Sequence, residues 1–210
     1  MALSNHEPYY IPDDRFNLFD DSIPDSRRLN AFYYSDWALG EFVDSLRSYP
    51  VFDSTIFVFT SDHSPHQSSE FSLDPGKFHI PLMIYAPGVL GDKGQVIERT
   101  ASQVDIIPTI IGMLGIDASV YSWGRDQLNL PDNDTGFAIF VDEDKLGLVE
   151  DSKFFFHWVN VEKKLFDLND AQYLKRNLTD SFPDIAATME KRLNSYIQLA
   201  SYLSKGGMKK

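Results

Sequence analysis

Short apolar runs dominate the first half of the chain and predict alternating helices and strands. Residues 26–48 repeat apolar side chains at helical steps, so we expect a helix there. The run from Thr55 to Thr60 is β-branched and aromatic without interruption, which is typical of a central parallel strand buried on both faces. A second strand is expected over residues 79–86, and a short helix near Asp105 with Gly115 as its stop. This order predicts an α/β fold with a doubly wound, mostly parallel sheet.

The pattern changes after about residue 135. Several short strand candidates at close spacing predict a small antiparallel sheet, and they cover residues 136–141, 146–149, 153–159 and 163–167. An amphipathic pattern then predicts a final helix over residues 183–203. We therefore divide the chain into an α/β domain over residues 1–135 and a small sheet with a C-terminal helix over residues 136–210.

Composition and the absence of certain motifs argue against several kinds of partner and site in this chain. The chain has 210 residues, a formal net charge of −12 and 43% hydrophobic residues. Nucleic acid is not an expected partner, because binding it needs clustered Lys and Arg. The chain contains no cysteine, which excludes a disulfide, a thiolate metal site or a cysteine nucleophile within it. No apolar run reaches the roughly 18 residues of a membrane span. Neither a Walker-type phosphate loop nor a Gly-x-Ser-x-Gly elbow is present.

Asp62 and His63 stand side by side directly after the first predicted strand. Ligands bind at the C-terminal ends of strands in α/β sheets, so this pair is expected at the rim of a site. A carboxylate oxygen beside an imidazole nitrogen suits Zn²⁺ or Mn²⁺ better than Ca²⁺ or Mg²⁺. His79 opens the second strand and is a further candidate, either as a ligand or as a donor to a substrate oxyanion. The alternative for His63 is a hydrogen-bonded residue that caps the strand, and the alternative for His79 is a core histidine at a strand start.

The remaining histidines and one acid have simpler interpretations. His66 lies in the loop between the two strands, where facing the site and facing solvent are equally compatible with the sequence. His6 lies in a turn-forming segment, for which a surface position is the simpler explanation. His157 lies within an aromatic strand and is interpreted as structural. Asp105 is interpreted as a first-turn carboxylate favoured by the helix dipole rather than as a catalyst.

Several segments follow one another along nearly the whole chain: Tyr33, Tyr34 and Asp36, the runs 52–63, 78–88, 102–116 and 165–170, and Asn177-Leu-Thr. Together and in this order they resemble the sulfatase family of the alkaline phosphatase superfamily. The segment Ser4-Asn-His-Glu-Pro-Tyr9 is similar to the substrate-side loop of the branch that holds lipoteichoic acid synthases and phosphoethanolamine transferases.

The resemblance implies a metal-dependent hydrolase or transferase that acts on sulfate or phosphate esters. It assigns Asp62 and His63 to the metal-binding pair, and His6 and His79 to contacts with the transferred group. The implied cofactor is a divalent cation (Mn²⁺, Zn²⁺, Mg²⁺ or Ca²⁺), with Mn²⁺ or Zn²⁺ favoured by the donors. The branch implies a membrane-anchored, extracytoplasmic parent protein, of which this chain is a soluble part.

The family's nucleophile and its first acidic ligand lie upstream of these motifs, and no matching segment occurs here. We therefore expect the C-terminal portion of an alkaline-phosphatase-like fold that is catalytically incompetent alone. An incomplete sheet would leave an open edge and apolar faces, which favours self-association. The alternative is a non-catalytic module that binds an anionic glycan or lipid headgroup.

Overall fold

A computed structural model describes residues 3–64, 71–91 and 94–205 of the chain. The helices and strands of this part are α1 (Ser26–Leu46), β1 (Phe57–Thr60), β2 (Leu82–Tyr85), α2 (Pro87–Leu90), α3 (Ile106–Leu114), β3 (Phe137–Asp142), β4 (Lys145–Glu150), β5 (Lys153–Trp158), β6 (Glu162–Asp167) and α4 (Pro183–Ser204). The long helices at both ends and the four strands of the second half are thus confirmed. Within the described ranges, no helix combines the length and apolar character that crossing a bilayer requires.

The chain divides into two compact units. The first comprises Met1–Phe57 with Tyr85–Asp92, and the second comprises Val58–Ile84 with Lys93–Lys210. Helices α1 and α2 belong to the first unit, whereas α3, the four strands β3 to β6 and α4 belong to the second. Strands β1 and β2 pair with each other in a two-stranded sheet. The domain boundary near residue 135 stays a prediction.

Aromatic contacts along α1 organise the first unit. The buried ring of Phe16 lies between three side chains of the helix, with centroid distances of 6.0 Å to Tyr33, 4.9 Å to Tyr34 and 4.9 Å to Trp37. The Arg15 guanidinium lies 4.6 Å from the Phe16 centroid and 4.5 Å from that of Trp37, which adds a cation–π attraction. The spacing of these helical rings is what produced the apolar periodicity of residues 26–48.

The core of the second unit is the antiparallel sheet, whose strands follow the order β3-β4-β5-β6. Leu148, Phe155 and Leu165 are cross-strand neighbours on one face, since alternate residues of a strand share a face. They join a buried cluster with one side of α4, and its members are Phe137, Leu148, Phe155, Leu165, Leu178, Ala186, Met189 and Leu193. The other face carries a second cluster of Leu73, Val149, Phe154, Phe156 and Phe166.

His157 lies on β5, with Leu146 and Lys163 as its cross-strand neighbours. Burial lowers the pKa of its imidazole, and the nearby positive charge of Lys163 lowers it further. Both effects favour the neutral ring at physiological pH. This supports the interpretation of His157 as a structural residue.

The two strands nearest to the candidate site differ from expectation. The first was expected over residues 55–60 and buried on both faces, but β1 covers Phe57–Thr60 and its Val58 is 36% exposed. Strand β2 begins only at Leu82, because Pro81 before it has no N–H to donate to a sheet. Leu82 and Met83 are 42% and 53% exposed. An apolar sequence shows that a strand can be buried, but not that neighbouring elements are present to cover it.

No third strand pairs with β1 or β2 among the described residues. The predicted doubly wound, mostly parallel sheet is therefore not formed by this part of the chain, which holds instead a two-stranded sheet and a four-stranded antiparallel one. The small antiparallel sheet and the C-terminal helix of the prediction are both present.

A buried carboxylate fixes the start of α3. Asp105 is 2% exposed, and its two oxygens accept hydrogen bonds from the backbone N–H groups of Ser102 at 2.9 Å and Arg125 at 2.7 Å. Ser102 and Asp105 together form a capping box around the 3₁₀ helix Gln103–Asp105. Helix α3 stops at Gly115, whose backbone is left-handed with φ 62°. Both the structural role of Asp105 and the stop at Gly115 are as predicted.

We predict that Asp105→Asn lowers the free energy of unfolding by about 1–3 kcal/mol. Asparagine offers one acceptor oxygen, so either the Ser102 or the Arg125 N–H would face an amide NH₂ in a buried place. Urea unfolding followed by circular dichroism measures the change. Asp117→Asn, at an exposed position, is the matched control and is expected to leave the midpoint unaltered. Equal stability of the two variants would contradict the assignment.

Candidate metal centre

Asp62 and His63 follow β1 after a single intervening residue, Ser61. Their side chains are 71% and 75% exposed, so solvent and ions reach both. The strand is apolar and its continuation is polar, which is why the chain leaves the sheet at this point. The pair therefore lies at the end of the strand, where the sequence predicted it.

The His63 ring is oriented by the backbone carbonyl of the next residue. Its Nδ1 atom lies 2.9 Å from the carbonyl oxygen of Ser64. A carbonyl oxygen only accepts hydrogen bonds, so the ring hydrogen of the neutral form is on Nδ1. This leaves the lone pair on Nε2, the atom that can bind a metal.

The two candidate ligand atoms lie close to each other. The Asp62 Oδ1 atom lies 3.8 Å from His63 Nε2, which is too far for a hydrogen bond. The backbone N–H of His63 donates to the same oxygen at 3.0 Å and holds the carboxylate on that side. Ligand atoms each about 2.1 Å from a cation are at most about 4.2 Å apart, so one cation could contact both. In type and spacing the two donors fit a divalent ion.

The pair does not form a complete site by itself. Within the part of the chain that the structure describes, no group of three or more His, Asp or Glu side chains is placed to hold a metal ion. Zn²⁺ usually takes four ligands in a tetrahedral arrangement. A four-coordinate site that included the pair would need ligands from other groups. His66, one of the sequence candidates, lies outside the described residues.

His79 is exposed and lies between the 3₁₀ helix Pro75–Lys77 and β2. The buried hydroxyl of Ser64 donates a hydrogen bond to the carbonyl oxygen of Lys77. This bond ties the segment that follows His63 to the segment that precedes His79. In the described structure, the His79 ring itself joins neither a hydrogen bond nor an ion pair with Asp62 or His63.

His6 belongs to the first compact unit, whereas Asp62, His63 and His79 belong to the second. It is exposed, and its Nδ1 donates to the carbonyl oxygen of Glu7 at 3.0 Å. The Tyr9 N–H donates to the His6 carbonyl at 2.8 Å, which closes the predicted turn. A contact of His6 with a substrate stays a prediction.

Gln103 and Ser64 were not singled out by the sequence, yet the Gln103 side chain contacts the backbone before the pair and the Ser64 carbonyl contacts the His63 ring. The Gln103 amide donates to the Ser61 carbonyl oxygen at 2.9 Å, across 42 residues of sequence. The capping-box pattern of Ser102 and Asp105 signals a rigid turn at Gln103, but no local signal indicates what its side chain would reach.

Comparison with known proteins gives a consistent result. The family model described as Sulfatase matches residues 1–116, a range that contains all four predicted site residues. Arylsulfatase K of Danio rerio is 27% identical over 208 aligned residues, which cover 83% of this chain and 38% of that protein. Lipoteichoic acid synthase 2 of Bacillus subtilis is 30% identical over 139 residues, which cover 58% of this chain and 21% of that protein.

A solved structure agrees with these relatives. A protein in the alkaline phosphatase superfamily from Vibrio parahaemolyticus is similar with a TM-score of 0.66 and 26% identity, over 78% of this chain and 39% of that chain. The fold is therefore alkaline-phosphatase-like. The chain spans less than two fifths of the length of each of these proteins.

We predict that neutral His63 is the Nδ1–H tautomer, because a carbonyl oxygen accepts from that nitrogen. Long-range ¹H–¹⁵N correlation NMR at a pH well above the imidazole pKa distinguishes the two ring nitrogens by their chemical shifts. A predominant Nε2–H form at His63 would contradict the geometry. His79 is the reference for a histidine whose tautomer is not fixed by a carbonyl, since in the described structure no backbone carbonyl accepts a hydrogen bond from its ring.

Proposed function

This chain belongs to the sulfatase family, and we propose that it forms part of a metal-dependent hydrolase or transferase that acts on sulfate or phosphate esters. Family membership rests on the match over residues 1–116. The observation that carries the metal proposal is the pair at the end of β1, where the Asp62 Oδ1 and His63 Nε2 atoms lie 3.8 Å apart. A cation that contacted both atoms would be attracted by the Asp62 carboxylate and could accept the lone pair of His63 Nε2.

Asp62 and His63 are the residues that would hold the cation. Asp62 supplies an anionic oxygen and His63 a neutral nitrogen, so the pair offsets one of the two charges of a divalent ion. This mixture of donors favours Mn²⁺ or Zn²⁺ over the harder Ca²⁺ and Mg²⁺. When bound, such an ion polarises the ester oxygen, favours ionisation of a nucleophilic hydroxyl and screens the negative charge of the substrate.

His6 and His79 are proposed to bind the transferred group. Both side chains are exposed and both can donate a ring N–H. The negative charge on the sulfuryl or phosphoryl oxygens increases as the attacking hydroxyl forms its bond, so donors aimed at those oxygens stabilise the transition state more than the ground state. Water would complete a hydrolysis, and an acceptor alcohol would complete a transfer.

The proposal includes both sulfate esters and phosphate esters as substrates. One relative is named an arylsulfatase and another a lipoteichoic acid synthase, and the chain is similar to both. From the resemblance to the branch that holds lipoteichoic acid synthases, we also propose that the chain is part of an extracytoplasmic protein with a membrane anchor.

The complete site is proposed to need residues beyond those seen here. Three observations support this: the pair supplies only two ligands, the chain spans less than two fifths of the relatives described above, and the apolar strands β1 and β2 are partly exposed. In the full protein the two strands would be part of a doubly wound, mostly parallel sheet. The chain alone is then catalytically incompetent, and its exposed apolar strands favour self-association.

We predict that Mn²⁺ binds the chain weakly at the pair, and that Asp62→Asn weakens binding by about tenfold or more, or at least about 1.4 kcal/mol. The loss of the anionic ligand is the physical reason. Mn²⁺ is paramagnetic, so broadening of the Asp62 and His63 amide NMR signals measures even weak binding. Asp132→Asn, at an exposed position, is the control for the loss of one negative charge. Broadening that is equal in all three proteins would contradict the assignment.

We further predict that the isolated chain hydrolyses aryl sulfate and aryl phosphate esters with added Mn²⁺ or Zn²⁺ no faster than its Asp62→Asn variant, because two ligands hold the ion too weakly. A spectrophotometric assay of released phenol measures the rates. Strong turnover that depends on Asp62 would show that the chain is competent alone. Binding of an anionic glycan or lipid headgroup that survives Asp62→Asn, with no metal effect, would favour the non-catalytic module instead.

A further inference from the structure

Gln103 makes a hydrogen bond whose position bears directly on the candidate metal centre. Its amide Nε2 donates to the carbonyl oxygen of Ser61 at 2.9 Å. A second donor to this oxygen, the Thr60 hydroxyl, is more distant at 3.4 Å. The Gln103 bond is therefore the stronger of these two constraints on the carbonyl.

The Ser61 carbonyl belongs to the peptide unit that leads into Asp62. This unit is planar, so the carbonyl oxygen and the Asp62 Cα atom move together. The Asp62 side chain is 71% exposed, so little packing restricts it. The orientation of this peptide, together with the hydrogen bond from the His63 N–H to Oδ1, therefore sets whether the carboxylate stays near His63 Nε2.

Gln103 is held firmly enough to act as an anchor. It begins the 3₁₀ helix Gln103–Asp105, which the capping box of Ser102 and Asp105 closes. Asp105 in turn is buried and accepts from the Arg125 N–H, so this turn is fixed to the interior of the second unit. Gln103 itself is exposed and does not belong to either buried cluster. Packing therefore does not explain its side-chain contact.

We infer that Gln103 is a positioning residue for the metal pair: its amide fixes the Ser61–Asp62 peptide, so that the Asp62 carboxylate is placed beside His63 Nε2 before the ion binds. This inference rests on the proposed function, because the pair must bind a metal. Gln103 contacts neither the ion nor the substrate in this role. It lowers the cost of ordering an exposed carboxylate when the ligand arrives.

The test compares Gln103→Leu, which keeps a similar volume but has no donor, with the full wild-type chain. Gln198→Leu at an exposed position of α4 is the matched control. Three quantities are measured: the melting temperature, the ¹⁵N relaxation of the Asp62 amide without metal, and the Mn²⁺ dissociation constant from broadening of the Asp62 and His63 signals.

For Gln103→Leu we expect an unchanged melting temperature, faster motion of the Asp62 amide and a dissociation constant raised about tenfold, as is usual when a residue that orients a metal ligand is removed. Gln198→Leu should equal wild type in all three. Gln103→Glu separates position from charge, since it adds a negative charge but no donor. We expect Gln103→Glu to bind Mn²⁺ as weakly as Gln103→Leu does. Mn²⁺ binding tighter than that of Gln103→Leu would overturn the inference.

The outcomes distinguish this inference from the proposed function. If Mn²⁺ broadens the wild-type signals but Gln103→Leu has the wild-type dissociation constant, the positioning role is wrong and the proposed function stands. If Mn²⁺ leaves the wild-type signals of Asp62 and His63 unaltered, the metal proposal is wrong and the inference is wrong with it.

Discussion

The candidate site depends on the hydrogen bonds that the backbone around Asp62 and His63 makes with its surroundings. The His63 ring donates to the Ser64 carbonyl, which leaves Nε2 as an acceptor. The His63 N–H holds Asp62 Oδ1 opposite that atom. None of these contacts needs a metal, so the geometry that suits an ion is built by the chain itself. Both side chains are exposed, so the position of the carboxylate beside the ring depends on these few hydrogen bonds rather than on packing.

A chain of contacts connects the turn that carries Gln103 to the core of the second unit. The backbone of Arg125 donates to the buried Asp105, and its guanidinium pairs with Asp134 at 2.9 Å. The Gly136 N–H and then the Arg125 guanidinium hold the pKa of Asp134 below its usual value. The guanidinium also lies 4.4 Å from the ring centroid of Phe137, a residue of the core cluster. The turn that carries Gln103 is therefore connected by successive contacts to the antiparallel sheet.

The strands that carry the site differ in kind from those of the antiparallel sheet. Strands β3 to β6 pair with each other in sequence, and their apolar residues are buried against α4 on one face and in the cluster with Leu73 on the other. Strand β1 has a single described partner, and its apolar residues are only partly covered. The antiparallel part thus depends on local contacts, whereas β1 and β2 have apolar surface that other elements could still cover.

The sequence alone determined the elements whose cause is local. Apolar periodicity predicted α1, α4 and the four antiparallel strands, and the polar residues after the apolar strand marked Asp62 and His63 as a candidate pair. Tertiary structure decided what depends on neighbours: that Val58 and Met83 are exposed rather than buried, and that an amide 42 residues away holds the Ser61 carbonyl. The physical reason is that periodicity records which faces of an element are apolar. Only the folded chain determines what covers those faces and which distant polar groups meet.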